Sequence, residues 1–304
     1  IPIFILSSIE WISELFSIFL APLIVKPLSF NKNFISAIII IKRSAAVINH
    51  KLKLLEKYKK DAIIKASDKI LRENFEDQFP IDIFQTGSGT STNMNVNEVI
   101  ANIANTFIKN NSNKIHPNDH VNLCQSSNDV IPTAIHISTY KLILDSLIPN
   151  LRILEKQLLI KSKKFDSIFK IGRTHLQDAT PITLGQEFSG YTSMVARSIN
   201  FIKDSSTNLR ELAQGGTAVG TGINSHPKFA SQIVKEISKK TNIKFIEAKN
   251  HFEAQATQDS TLHVSGALRG LAVSLSKIAN DIRLLGSGPR AGIGELNIPS
   301  VQPG

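Results

Sequence analysis

The chain has 304 residues, of which 42% are hydrophobic and 20% charged, a composition typical of folded globular proteins and not of disordered ones. A net charge of +10 predicts a surface that attracts anions, but the sequence has no aromatic-interleaved basic patch or nucleic-acid motif, so we expect no nucleic-acid partner. The single cysteine, Cys124, excludes an internal disulfide and favours a reducing compartment, the cytoplasm or, in a eukaryote, the mitochondrial matrix.

Residues 1–30 form an atypical apolar segment. Glu10 and Glu14 interrupt it, and the stretch from Leu15 to Val25 is too short to cross a bilayer. The segment has neither the basic start of a secretory signal nor the Arg-rich composition of a mitochondrial presequence. We therefore expect no membrane association and place this segment outside the fold.

From about residue 30, apolar spacing predicts long helices. Leucines at 144, 147, 151, 154 and 158 fall on one helical stripe, in which Pro149 predicts a kink or a junction between two helices. A further helix is expected over 184–212. Apolar residues from Val264 to Leu285 keep steps of three and four, which predicts a helix about 33 Å long. No strand alternation is sustained, so we predict an all-α fold.

Polar loops are expected between these helices, at 86–97, 116–132, 172–185 and 214–227. In the first, Gly87 and Gly89 allow a sharp bend that exposes backbone amides, and Ser88 and Thr90 add hydroxyl donors. This combination is suited to binding a carboxylate. The Gly-Lys-Ser/Thr ending of a phosphate-binding P-loop is missing, which argues against a nucleotide.

The second loop carries three adjacent neutral donors, Ser126, Ser127 and Asn128, which also suit a carboxylate. His116 and Asp119 suggest a metal site, but a single clear His-Asp pair does not complete a ligand set, so we expect no metal.

The third loop places His175 beside Thr174, and a histidine exchanges protons near neutral pH, so this pair is an acid–base candidate. A lone histidine in a turn is more often structural than catalytic, but the residues next to His175 favour the catalytic interpretation. The fourth loop is rich in glycine and predicts tight turning or close helix approach.

These motifs resemble those of the fumarase/aspartase superfamily, and within it the class II fumarases. The resemblance covers about residues 32–304 and rests on the blocks "GSGTSTNMN", "HPNDHVN", "SSND", "GRTHLQDATP", "GGTAVGTG" and "SGPRAGIGE", in the family's order and spacing. His175 within "GRTHLQ" favours fumarase, because aspartases typically have Gln there. Aspartase, or another lyase of the superfamily, is the alternative.

The resemblance implies reversible hydration of fumarate to malate without a cofactor, in a homotetramer whose active sites combine loops of three subunits. It implies that the substrate-binding residues are Ser88, Gly89, Thr90, Ser126, Ser127, Asn128 and Thr174, with His175 catalytic. It also implies a secondary dicarboxylate site at His116, Pro117, Asn118 and Asp119, although Asn113 stands where some relatives have Arg.

The family's domain pattern implies an N-terminal helical domain at 31–130 and an incomplete long-helix domain at 131–304, with the C-terminal domain absent. The serine thought to act as base in the family lies in a loop that would begin at about Gly304. We therefore expect this chain to be inactive alone. A non-catalytic, degenerate subunit is a further alternative.

Overall fold

The computed structural model describes residues 31–73, 75–109, 114–288 and 290–299, so the predictions for residues 1–30 and Asn113 lie outside the described residues. The helices in chain order are α1 Lys32–Lys51, α2 Lys57–Arg72, α3 Thr90–Asn105, α4 Ser127–Leu142, α5 Ile148–Lys164, α6 Leu184–Ser206, α7 Phe229–Thr241, α8 His251–Ala256 and α9 Asp259–Leu285. The strands are β1 Phe169–Thr174, β2 Gln177–Thr183, β3 Glu211–Leu212 and β4 Ile246–Glu247. Short 3₁₀ turns cover Glu76–Gln78 and Thr207–Arg210, and π turns cover Pro117–Val121 and Ile143–Leu147.

The all-α fold class is confirmed, and the apolar stripes explain the long helices. The stripe predicted over 264–285 lies within α9, whose 27 residues span about 40 Å. Pro149 lies in the first turn of α5, directly after the π turn, so it marks a helix junction as predicted. At this position its missing amide hydrogen removes no helical hydrogen bond.

The predicted loops are wrong in part, because polar residues there form the beginnings of helices. α3 begins at Thr90 and α4 at Ser127, inside the segments predicted as loops. The first half of α3 buries Thr92, Asn93 and Asn97, so tertiary burial stabilises a helix whose composition favours a loop. The helix predicted over 184–212 ends at Ser206, where a 3₁₀ turn and β3 follow.

The predicted loop at 172–185 is also wrong, because most of it belongs to the antiparallel hairpin of β1 and β2. Both strands are exposed or half-buried along their length, so the sequence has no alternation of buried and exposed residues to reveal them. A bulge between Ile171 and Arg173 shifts the register of the hairpin. β3 and β4 pair in parallel over two residues each.

The chain divides into two compact units. The first, here called the cavity unit, comprises the described residues of Val25–Leu142 and Ser206–Leu262; the second, the hairpin unit, comprises those of Ile143–Ser205 and His263–Gly304. The domain boundaries predicted from the resemblance, at residues 30 and 130, stay a prediction.

In the cavity unit, α1 is the central helix and packs against α2, α4 and α7. Ile38 and Ile41 of this helix are fully buried in one apolar core together with Ile63 of α2 and Phe229 of α7. The carboxylate of Asp68 accepts hydrogen bonds from Arg43 and Lys240, so one ion-pair cluster links α1, α2 and α7.

In the hairpin unit, α6 buries a stripe of Phe188, Tyr191, Val195, Ile199 and Ile202, at helical steps of three and four. The Tyr191 hydroxyl donates to a carboxylate oxygen of Asp281 in α9 at 3.0 Å, which fixes the register of these two helices. Among the described residues, no helix has both the length and the apolar character needed to cross a membrane.

Candidate active site

The first predicted carboxylate-binding turn lies at the start of α3. Gly89 is the N-cap, with a left-handed φ of 64°, and the hydroxyls of Ser88 and Thr90 share a hydrogen bond of 3.0 Å on either side of it. A Cβ atom on Gly89 would lie 2.8 Å from Cδ1 of Ile131 in α4. Glycine is therefore required both by the backbone conformation and by the close approach of α4.

The second turn lies at the start of α4, where Ser126 and Asp129 form a capping box. The Ser126 hydroxyl accepts from the amide of Asn128 at 3.3 Å, and the Asp129 carboxylate accepts from the amide of Ser126 at 2.9 Å. This reciprocal pair holds Ser127 and Asn128 in the first turn of the helix, where the helix dipole favours a bound anion.

The glycine-rich loop at 214–227 supports this second turn. The Asp129 carboxylate accepts from the amides of Gly215 and Thr217, each at 3.0 Å, and from the side-chain amide of Gln214 at 3.1 Å. The Asn128 side-chain amide donates to the carbonyl of Ala218 at 2.7 Å. The loop thus orients the donors of α4, a role beyond the tight turning predicted from its glycines.

Asp129 is fully buried beneath these donors. Burial raises the pKa of Asp129 to about 6, although its amide donors and the charge of Lys42 act in the opposite direction. Sequence reasoning missed Asp129 and Lys42. The usable signal for Asp129 is the Ser-x-x-Asp spacing of a capping box, whereas Lys42, which Arg43 follows directly, offers no such signal.

The two turns meet at one cavity of about 370 Å³ within the cavity unit. Its polar lining includes Ser88, Ser127 and Asn128, and none of its described lining residues carries a charge. Its other lining residues are Gly87, Ile131, Pro132, Ile135, Ala218, Val219, Phe252, Gln255, Ala256 and Gln258. A carboxylate here would be bound by neutral donors and by the N-termini of α3 and α4.

Thr174 and His175 lie in the hairpin unit, at the tip of the β1–β2 hairpin. Thr174 pairs with Gln177, and the turn between them places His175 and Leu176 at left-handed φ values of 52° and 62°. Two such residues in succession define a type I′ turn, which normally favours Asn and Gly. His175 and Leu176 are exposed, and their strained conformation is a feature that clusters at functional sites.

A network of ion pairs fixes the base of this hairpin. The Glu295 carboxylate accepts from Arg173 at 2.6 Å and contacts the ammonium of Lys170 at 2.6 Å, and Lys170 also pairs with Glu187 of α6. Burial opposes the charge on Glu295, but hydrogen bonds from Arg173 and Lys170 outweigh it and hold the pKa of Glu295 below its usual range. The hairpin is therefore anchored on both α6 and the segment after α9.

The predicted secondary site, His116 to Asp119, lies at the π turn of Pro117–Val121. The His116 ring accepts from the amides of Asn118 at 3.3 Å and Asp119 at 3.1 Å, and it lies 3.3 Å from the Asp119 carboxylate. Both side chains are largely exposed. The amides suited to a second anion are thus capped by His116 itself.

The chain belongs to the lyase family, whose model matches residues 24–304. It is 51% identical over 272 residues to the class II fumarate hydratase of Oceanobacillus iheyensis, covering 89% of this chain and 59% of that protein. The corresponding enzyme of Helicobacter pylori strain J99 is 53% identical over 276 residues, with coverages of 90% and 60%. The predicted resemblance to class II fumarases is confirmed.

Among solved structures, a class II fumarase from Schistosoma mansoni superposes with a TM-score of 0.88 at 38% identity, covering 91% of this chain and 61% of that one. The chain thus spans about three fifths of the length of these relatives.

Proposed function

We propose that the protein containing this chain catalyses the reversible hydration of fumarate to (S)-malate. The observation that carries the proposal is the cavity at which the N-termini of α3 and α4 present Ser88, Ser127 and Asn128. These are the donors predicted to bind a carboxylate. The relatives named as class II fumarate hydratases support the same reaction.

The chemistry is easiest to follow from malate. A base removes a proton from C3, negative charge builds on the adjacent carboxylate, and an acid protonates the departing hydroxyl. Ser88, Thr90, Ser127 and Asn128 stabilise that charge with preorganised donors, because the capping box and the glycine-rich loop already hold the start of α4 in place. Gly89 and Ser126 shape the two turns that carry these donors.

In the proposed active site, which combines loops of different subunits as the family resemblance implies, Thr174 contacts the substrate and His175 transfers a proton. The type I′ turn and the ion pairs at the hairpin base support this role, because they present the imidazole on a fixed, exposed tip.

The test is fumarate hydration by the full-length protein, followed by loss of fumarate absorbance. Ser127→Ala and His175→Asn should each lower kcat/KM by about 10- to 1000-fold, since each removes a group acting on developing charge or on a proton. Ser231→Ala, an exposed helical serine, is the matched control and should leave the rate unchanged. Release of ammonia from aspartate without turnover of malate would overturn the assignment in favour of an aspartase.

We further propose that the full-length protein is a homotetramer in the cytoplasm. Its long helices expose large apolar side chains within the hairpin unit, including Ile153 and Ile160 of α5, Phe201 of α6 and Val273 of α9. Light scattering after size exclusion should give a tetramer, and Phe201→Glu should shift it towards smaller species. A monomeric parent protein would contradict the proposal.

The proposed secondary dicarboxylate site at His116 to Asp119 is testable separately. A second dicarboxylate would have to displace the His116 ring from the amides of Asn118 and Asp119. His116→Ala should therefore not abolish turnover, and it should change only a second, weaker binding event in calorimetry. A loss of turnover comparable to that of His175→Asn would show that His116 belongs to the first site.

A further inference from the structure

Lys42 is a fully buried lysine in the middle of α1, directly after the buried Ile41. Lysine is rarely buried unless its ammonium group is paired, because removing its charge from water is costly. The Lys42 amine donates to the side-chain oxygen of Asn122 at 2.6 Å. Nothing in the proposed chemistry uses this residue.

A chain of hydrogen bonds leads from Lys42 to the cavity. Asn122 Oδ1, which accepts from Lys42, also lies 3.5 Å from the side-chain amide nitrogen of Asn93 in α3. That same nitrogen donates to the hydroxyl of Ser127 at 3.1 Å. The Asn122 amide nitrogen is held in turn by the carbonyl of Gln125 at 3.3 Å. The chain thus joins α1, the turn before α4, α3 and finally a residue that lines the cavity.

The direction of this chain follows from the chemistry of its first member. A protonated lysine only donates, so it fixes Asn122 Oδ1 as an acceptor. Asn93 must then point its NH₂ group, and not its oxygen, towards both Asn122 and Ser127. The Ser127 oxygen is therefore already an acceptor, and its own hydrogen is left to donate elsewhere.

We propose that Lys42 is a positioning residue that keeps the Ser127 hydroxyl in the donor role towards a substrate carboxylate. The inference rests on the proposed function, since it concerns the same carboxylate-binding cavity. Without Lys42, the 3.3 Å contact with the Gln125 carbonyl is what remains to orient the Asn122 amide, and the Asn93 amide, whose contact with Asn122 is long at 3.5 Å, can turn over. The Asn93 oxygen then accepts the Ser127 hydrogen, and the cavity loses one donor.

The electrostatic surroundings agree with this arrangement. Burial lowers the pKa of Lys42 to about 7, and the Asp129 carboxylate acts in the opposite direction. A neutral amine still has N–H groups with which to donate to Asn122. Asp129 does not depend on Lys42 for its hydrogen bonds, because backbone and side-chain amides already surround it. Replacing Lys42 therefore removes none of the hydrogen bonds of the capping box.

The experiment measures binding of succinate, a dicarboxylate that cannot be hydrated, to the full-length protein by calorimetry. Lys42→Met keeps a long unbranched side chain but removes the donor, and it should weaken binding by about tenfold, the loss of one hydrogen bond to a charged group. Ser127→Ala should weaken binding by a similar factor. The double variant should bind as Ser127→Ala does, because Lys42 acts only through Ser127.

If Lys42 had a merely structural role, the losses of succinate affinity in the two single variants would multiply in the double variant. That result would overturn the proposal. Lys249→Met, at a lysine whose side chain is 85% exposed, is the matched control and should bind succinate unchanged. If Lys42→Met fails to fold, Asn93→Asp provides a second variant. Its carboxylate accepts the Ser127 hydrogen, so it should show the same tenfold loss, and binding equal to that of the parent protein would refute the proposal.

The measurements distinguish an error in the proposed function from an error in the role proposed for Lys42. If the parent protein binds succinate but does not hydrate fumarate, the reaction assignment is wrong, while the comparison of single and double variants still decides the role of Lys42. If the parent protein binds no succinate, the role of Lys42 is overturned together with the carboxylate-binding roles of the cavity.

Discussion

Replacing Gly89 by alanine is expected to destabilise the cavity unit at the junction of the two turns predicted to bind a carboxylate. Gly89 has a φ of 64°, and an added Cβ would lie 2.8 Å from Cδ1 and 2.9 Å from Cγ1 of Ile131. The left-handed conformation costs alanine about 1–2 kcal/mol. Overpacking against Ile131 adds about 1–3 kcal/mol, and the reduced entropy of the unfolded chain returns less than about 1 kcal/mol.

The net loss for Gly89→Ala is therefore about 1–5 kcal/mol, a large part of the stability of a typical domain. Urea unfolding followed by circular dichroism should show a midpoint lower by roughly 0.3–2.5 M, for a slope of about 2–3 kcal/mol per M. Gly89→Ala should also weaken succinate binding, because the substitution displaces the flanking donors Ser88 and Thr90.

Gly87→Ala is the matched control two residues away, where an added Cβ meets nothing within 4 Å. It should leave the unfolding midpoint unchanged or raise it slightly. Ile131→Val removes the atom nearest to the new Cβ, so Gly89→Ala should lose less stability in that background, while the backbone penalty remains. Equal midpoints for Gly87→Ala and Gly89→Ala would refute the reasoning.

Two further predictions concern the hairpin unit. Leu176 is 72% exposed at a φ of 62°, so Leu176→Gly should be more stable than the β-branched Leu176→Ile by about 1 kcal/mol in thermal or urea unfolding. Glu295→Gln should lower the stability at neutral pH by about 1–2 kcal/mol, because it weakens hydrogen bonds between charged groups. The folded-state pKa of Glu295 lies below its ordinary value of 4.5. The Glu295 carboxylate therefore stabilises the fold above pH 4.5, and this stabilisation is lost as the pH falls through the folded-state pKa. Melting curves of Glu295→Gln and the parent protein should thus converge in acid.

Each of these predictions has a control. The strain argument for Leu176 fails if Leu176→Ile is as stable as Leu176→Gly. For Glu295, the exposed Glu73 offers a comparison, because its contact with Lys69 spans 3.9 Å and both side chains are solvent-accessible. Glu73→Gln should change the stability little at any pH. A gap between Glu295→Gln and the parent protein that persists in acid would contradict the assigned ion pairs.

The amino-acid sequence alone predicts the helical class, the Pro149 junction and the residue types suited to a carboxylate. These are local properties, since a helix repeats every 3.6 residues and a motif is a run of neighbours. It failed for the hairpin of β1 and β2, whose two strands are exposed and carry no period of two. It also failed at the start of α3, where burial of Asn93 overrides a composition typical of a loop.

Contacts between residues distant in the chain depend on tertiary packing. The hydrogen bonds that support the cavity join Asp129 to Gly215 and Lys42 to Asn122, which lie 86 and 80 residues apart in the chain. No local pattern encodes such contacts, because they arise when helices pack and leave buried polar groups that must find partners. For the same reason Lys42 is unremarkable in the sequence, and only its burial beside Asn122 connects it to the cavity.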